Sequence, residues 1–183
     1  MANTRKKEIS TINKIRFDPT NPREDDIDIR DIAHALSMMT RANGHFTEFY
    51  SVARHSVNCA LEATARGYSK RVALFCLLHD SAESYIGDMT RPLKMHFPLF
   101  SEYEKKLQKV IFSKYATLDI ADDEKEKVKS VDDSLLYHEF LCYHGDKLFD
   151  FTPEIHIDVK DNSKNISETE REFLCMYEAL KIK

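Results

Sequence analysis

A chain of 183 residues, 42% of them hydrophobic, carries enough apolar surface for one sizeable core, and residues 1–183 read as a single domain. Its 27 basic and 31 acidic residues leave a formal charge of −4 with no long block of one sign, which speaks against a surface that coats nucleic acid. No window approaches the roughly 18–20 apolar residues of a bilayer crossing, the start MANTRKKEIS lacks the apolar core of a secretory leader, and Cys59, Cys76, Cys142 and Cys175 form no C-x-x-C pair. The expectation is a cytoplasmic protein without membrane or nucleic-acid partners.

Only four glycines and five prolines interrupt apolar residues spaced by three and four, so the predicted fold is all-α, a bundle of about six helices. IRFDPTNPREDD reads as a loop leading into a first helix near DIRDIAHALSMM, capped by Asp28, with Ile32, Leu36 and Met39 inward. ANGH breaks the pattern at Gly44. A second helix, carrying Val52, Val57, Ala60, Leu61 and Ala65, should end at Gly67. The third, SKRVALFCLLHDSAES, capped by Ser69, is apolar almost all round from Val72 to Leu78 and belongs at the centre of the bundle. Gly87, Pro92 and Pro98 mark a loop. FSEYEKKLQKVIFSKYA and DDEKEKVKSVDDSLLYHEFLCY follow as the fourth and fifth helices, and a box from Ser167 to Glu170 opens the last, SETEREFLCMYEALK. GDKLFDFTPEIHIDVKDNS reads as a long loop with a short strand.

Chemistry concentrates on the buried helix. His79 and Asp80 close its apolar run, with Glu83 three residues beyond on the same helical face. A lone buried His-Asp pair is more often merely hydrogen-bonded than functional. Further polar groups in the core shift that balance. His55 lies on the apolar stripe of the second helix between Val52 and Cys59. On the fifth helix, at roughly 100° per residue, Asp132 falls about 40° from Val128, inside the apolar sector, whereas Asp133 falls about 140° away. Glu139 shares Asp132's side two turns on. Two imidazoles and two carboxylates make a closed set, His55, His79, Asp80 and Asp132, suited to one divalent transition ion and not to a calcium cage.

RANGH…SVARHSV, LLHDSAESYIGDMTRPLK, YEKKLQKVI and VKSVDDSLL together resemble the HD-domain phosphohydrolase superfamily, and within it the bacterial 5'-deoxynucleotidases, over residues 41 to about 137. The resemblance implies a helical fold around one metal, cobalt, manganese, zinc, iron or nickel, held by His55, His79, Asp80 and Asp132. It also implies release of phosphate from deoxyribonucleoside 5'-monophosphates and, as in relatives, a homo-oligomer. Glu83 would handle the proton, Arg41 would clamp the phosphate, and Asp88 matches a position lining the nucleotide pocket. His45, Arg91 and Lys94 add polar and positive groups near the anion, and Arg54 is a further cation for a longer phosphate tail. Arg41 is followed by Ala42, where that branch carries a ribose-excluding tryptophan, and the chain has no tryptophan. Relatives with the same metal set remove a whole triphosphate from deoxynucleoside triphosphates, so a triphosphohydrolase is the alternative reading. A nucleotide sensor without turnover is a third.

Overall fold

The computed structural model describes residues 7–116, 120–160 and 165–182. It is mostly helical, as the periodicity requires, with one small antiparallel ribbon, β1 (Ile9–Ser10) against β2 (Arg16–Phe17), which reaches into the segment predicted as loop. The helices are α1 (Ile29–Met38), α2 (Val52–Ala65), α3 (Lys70–Leu78), α4 (Glu83–Ile86), α5 (Arg91–Lys94), α6 (Pro98–Ala116), α7 (Asp122–Tyr143) and α8 (Ile166–Leu180). Asp28, Ser51 and Ser69 cap α1, α2 and α3 by accepting from the amides of Arg30, Arg54 and Val72. Gly67 turns the chain after α2 at φ +73°.

α3 is the hub. Every residue from Val72 to Leu78 is buried, and the helix packs against α2, α6, α7 and α8. An apolar segment this short stays helical because four neighbours remove it from water, each buried Leu or Phe contributing roughly 1.5–3 kcal/mol. α1 closes the bundle against α8, α2 and α4.

Three expectations need correction. α3 does not run on through Glu83: it stops at Leu78, His79 to Ala82 form a turn, and the single-turn α4 starts at Glu83. Gln108 of α6 stitches this break, donating its Nε2 to the Leu78 carbonyl (2.7 Å) while its Oε1 accepts from the Ala82 amide (3.0 Å). A partner on another element supplies hydrogen bonds that a helix end lacks, which local sequence cannot show. α8 is capped two residues earlier than expected, by Asn165 with Glu168 in a reciprocal box, leaving Ser167 exposed. Residues 145–160 are irregular with no strand; the remainder of that stretch, 161–163, lies outside the described residues.

Candidate functional site

The break after α3 shapes the site. The αR turn at His79 swings its ring so that Nδ1 donates to the Cys76 carbonyl at 2.7 Å, one of the carbonyls left over at the helix end. Its Nε2 then faces inward. On α2, the Nδ1–H of His55 donates to Glu139 at 2.7 Å, which directs the second Nε2 to the same point. The two nitrogens are 3.3 Å apart. Asp132 Oδ1 lies 3.2 Å from His55 Nε2 and 3.8 Å from His79 Nε2, and Asp80 Oδ2 lies 3.2 Å from His79 Nε2 and 3.9 Å from His55 Nε2. Asp133, as the helical wheel requires, points elsewhere, to Lys129 and Arg91.

Cys59 is one turn beyond His55 with Sγ 3.4 Å from its Nε2. His55, Cys59 and His79 form a group that could hold a metal ion. Burial raises the Cys59 thiol well above its ordinary range, so it carries its proton, whereas the carboxylates are ionised. Asp80 is driven to about 2 by His79, His55 and Arg41 in spite of burial, and Asp132 likewise falls well below a normal aspartate. Burial lowers both imidazoles, but the surrounding carboxylates outweigh it, so His79 is raised well above the ordinary histidine value and His55 is raised as well. A divalent ion binding here would displace protons from imidazoles locked by a hydrogen bond on the far nitrogen.

Glu139 organises the other side. Fully buried on α7, it accepts from His55, from Arg41 Nε at 2.8 Å and from the Tyr50 hydroxyl at 2.9 Å, and Tyr50 in turn accepts from Asn58 at 2.9 Å. Although burial raises its carboxyl, His55 and Arg41 hold it below the ordinary glutamate value. Thus anchored, Arg41 places Nη1 3.6 Å from Asp80 and Nη2 3.6 Å from Asp132. It opens a loop whose ends are bridged at Thr40 and Ser51, and in which Ala42, Asn43 and Gly44 all adopt positive φ (52°, 50° and 77°). Such a run is strained for non-glycine residues and tends to persist where a site demands it.

A cavity of about 790 Å³ opens from these groups, within the range that takes small ligands. Its walls include Arg41, His45, Asp80, Glu83, Asp88 and Asp132, with Arg91 and Lys94 at α5. Glu83 is almost buried, with Oε2 lacking a protein partner. Burial, then the carboxylates of Asp80 and Asp88, push it up to about 10, so it is protonated at neutral pH. Asp88 is raised too, chiefly by burial and Asp80.

Some expected groups are committed elsewhere. Arg54 faces α8, paired with Glu172 at 2.6 Å and Thr169, and does not reach the cavity. Lys94 is tied to Glu104 at 2.6 Å, and Arg91 is largely exposed near Asp133. Phe140, packed against the core, also lines the cavity, as do Leu148 and Phe149 from the irregular segment after α7. His34, His138 and His156 have structural partners in Glu170, the Pro153 carbonyl and Glu62.

No family model matches the chain. It is 40% identical over 92 residues to the uncharacterized protein YfdR of Escherichia coli (strain K12), covering 50% of this chain and 49% of that protein. It is also 44% identical over 84 residues to the uncharacterized protein RCAP_rcc00048 of Rhodobacter capsulatus, 43% of this chain and 42% of that one. The match thus spans about half or less of the length of these relatives. Among the described residues no helix is long and apolar enough to cross a membrane.

Proposed function

We propose that this chain is a metal-dependent phosphohydrolase of the HD-domain type that releases phosphate from deoxyribonucleoside 5'-monophosphates. The observation that carries the reading is the approach of Asp80 Oδ2 and Asp132 Oδ1 to the paired His55 Nε2 and His79 Nε2, at 3.2–3.9 Å, beside a cavity lined by both carboxylates, a fixed arginine and a protonated glutamate. Mixed imidazole and carboxylate donors suit manganese, iron, cobalt, nickel or zinc. When bound, such an ion supplies Lewis acidity, drawing the pKa of water from about 15.7 toward 7.

The protein's own groups do the rest. Arg41, gripped at Nε by Glu139, offers both Nη groups to phosphate oxygens in a fork that matches them. Glu83 holds a proton at neutral pH beside the cavity and gives it to the departing 5'-oxygen. Asp88 keeps that proton on Glu83 by adding negative charge next to it. With Arg54 turned to α8, the cavity wall keeps Arg41, Arg91 and Lys94, the last paired with Glu104, and this smaller set of cations is the feature that favours a monophosphate over a triphosphate.

Chromatographic analysis of products after incubation with each deoxy- and ribonucleoside mono- and triphosphate, in EDTA and with each divalent metal restored, tests this. Nucleoside plus orthophosphate from monophosphates is expected. Intact triphosphate as product would move the chain to triphosphohydrolase chemistry, and the absence of any turnover would leave a nucleotide sensor. Turnover that survives Glu83→Gln and Arg41→Ala together would overturn the assigned roles.

A further inference from the structure

The cavity changes character along its length. Near Asp132 its walls are charged, whereas farther along α7 they include Leu136 and Phe140, then His144, together with Leu148 and Phe149 of the segment that follows. Asp132, Leu136 and Phe140 lie four residues apart and so form one stripe. At 1.5 Å per residue, the apolar end begins about 6 Å from Asp132 and extends to about 12 Å. One pentose bridges a phosphate at the first end and a flat ring at the second.

Both rings are held in place by the protein itself. Phe149 is stacked in parallel with Tyr137 (centroids 5.8 Å, 22°) and with Phe151 (5.6 Å, 17°), and Phe140 meets Phe46 edge to face (5.1 Å, 80°). The segment bearing Phe149 is pinned to α7 through Tyr137 with Thr152 (3.2 Å) and through His138, which donates to the Pro153 carbonyl (2.8 Å). Fixed aromatic groups lose little freedom on binding and so contribute contact at low cost.

Resting on the reading of a nucleotide substrate, we infer that this end is the nucleobase subsite, in which Phe140 and Phe149 take the base by aromatic contact. The side chains of Leu136, Phe140, Leu148 and Phe149 carry no hydrogen-bonding atom, and His144, which lines the cavity one turn beyond Phe140, has its Nδ1 engaged by Asp146 (3.0 Å). They distinguish a flat aromatic group from none and do not discriminate one base from another. Aromatic contact with a base is sequence-tolerant for the same reason, every base having a π-face.

Binding of the four deoxynucleosides to the full chain in EDTA, followed by ligand-observed NMR, reads this subsite without turnover. Phe149→Ala should weaken all four about tenfold, a loss of roughly 1.4 kcal/mol, and Phe149→Tyr should restore them. Circular dichroism melts confirm that both variants are folded, and Phe140→Ala supplies a second, independent removal of a ring. Unchanged binding in both alanine variants, or a loss confined to a single base, overturns the inference. In turnover, 2-deoxyribose 5-phosphate, which lacks a base, should be a poorer substrate than any nucleotide for the wild type and nearly equal for Phe149→Ala. If no phosphate ester is cleaved with any metal, the phosphohydrolase reading fails while the nucleoside titration still decides the subsite.

Discussion

At the scale of single residues, Glu139 carries the heaviest electrostatic load in the described chain. One carboxylate with no exposure to water aims His55, anchors Arg41 and satisfies Tyr50. Glu139→Gln keeps the volume but weakens the grip on His55 and Arg41. Loss of such an outer hydrogen bond to a liganding histidine typically costs 10–100-fold in metal affinity, so titration of the purified variant with manganese or zinc should show a drop of about that size; an unchanged affinity would refute the positioning role. Glu139→Ala takes the buried acceptor away from Arg41 Nε, His55 and Tyr50 at once and should cost about 3–5 kcal/mol in urea denaturation. Ala42 offers the opposite sign. At φ +52° its Cβ strains the backbone, and glycine relieves that strain. Ala42→Gly should therefore stabilise the fold by about 0.5–1 kcal/mol, measured in the same denaturation experiment.

At the scale of elements, the joints matter more than the helices. Gln108 on α6 substitutes for the missing turn between α3 and α4, so its side chain sets the angle at which His79, Asp80 and Glu83 leave the core. Gln108→Ala should cost about 1–3 kcal/mol, the penalty of an unpaired buried group, since it leaves the Ala82 amide unpaired while the Leu78 carbonyl keeps its bond from the Ser81 amide (3.0 Å). It should also lower metal affinity although Gln108 touches none of the four donor atoms. Asn165 decides where α8 begins. Asn165→Ala should cost about 1 kcal/mol, whereas Ser167→Ala, on the exposed first turn, should be neutral; equal effects of the two would return the cap to the Ser167 box that the sequence pattern suggests. Helical geometry alone separates Asp132 from Asp133, because about 100° per residue turns one into the core and the other out. The stop of α3 at Leu78 has no such local signal, because its cause, Gln108, lies 30 residues beyond it in the chain.

At the scale of the whole molecule, Glu62 joins three parts of the chain. Buried near the end of α2, it accepts from Arg66 at 2.7 Å and from the backbone amide and ring of His156 at 2.8 and 2.9 Å, while Arg66 reaches Ser130 and Ser134 of α7 and the Glu154 carbonyl. Burial raises its carboxyl, but the bonds from His156 and Arg66 outweigh it and leave Glu62 below its ordinary 4.5. A carboxyl depressed in the folded state stabilises fully above the unfolded value, and that contribution is lost as pH falls through the folded value. Stability measured by urea between about pH 6 and 3 should therefore fall more steeply for the wild type than for Glu62→Gln. Parallel curves would show that the 145–160 segment is held by other means. Because this segment also brings Leu148 and Phe149 to the cavity, its fastening and the shape of the site are linked.

Helical periodicity alone determined that the chain is mostly α, that Val72 to Leu78 run through the centre, and that His55, Asp132 and Glu139 turn toward the core. Those conclusions follow from local geometry, since a side chain's face is set by its own helix. Three features were decided only in three dimensions: the break after α3, the approach of Cys59 to the two imidazoles, and the recruitment of Phe149 to the cavity wall. Each depends on groups distant in sequence or on a segment without periodicity, and neither leaves a repeat that spacing can reveal. Arg54 marks the same boundary from the other side. Its place on α2 made it a candidate for the anion, and only the packing of α8, bringing Glu172 to its guanidinium, directed it away.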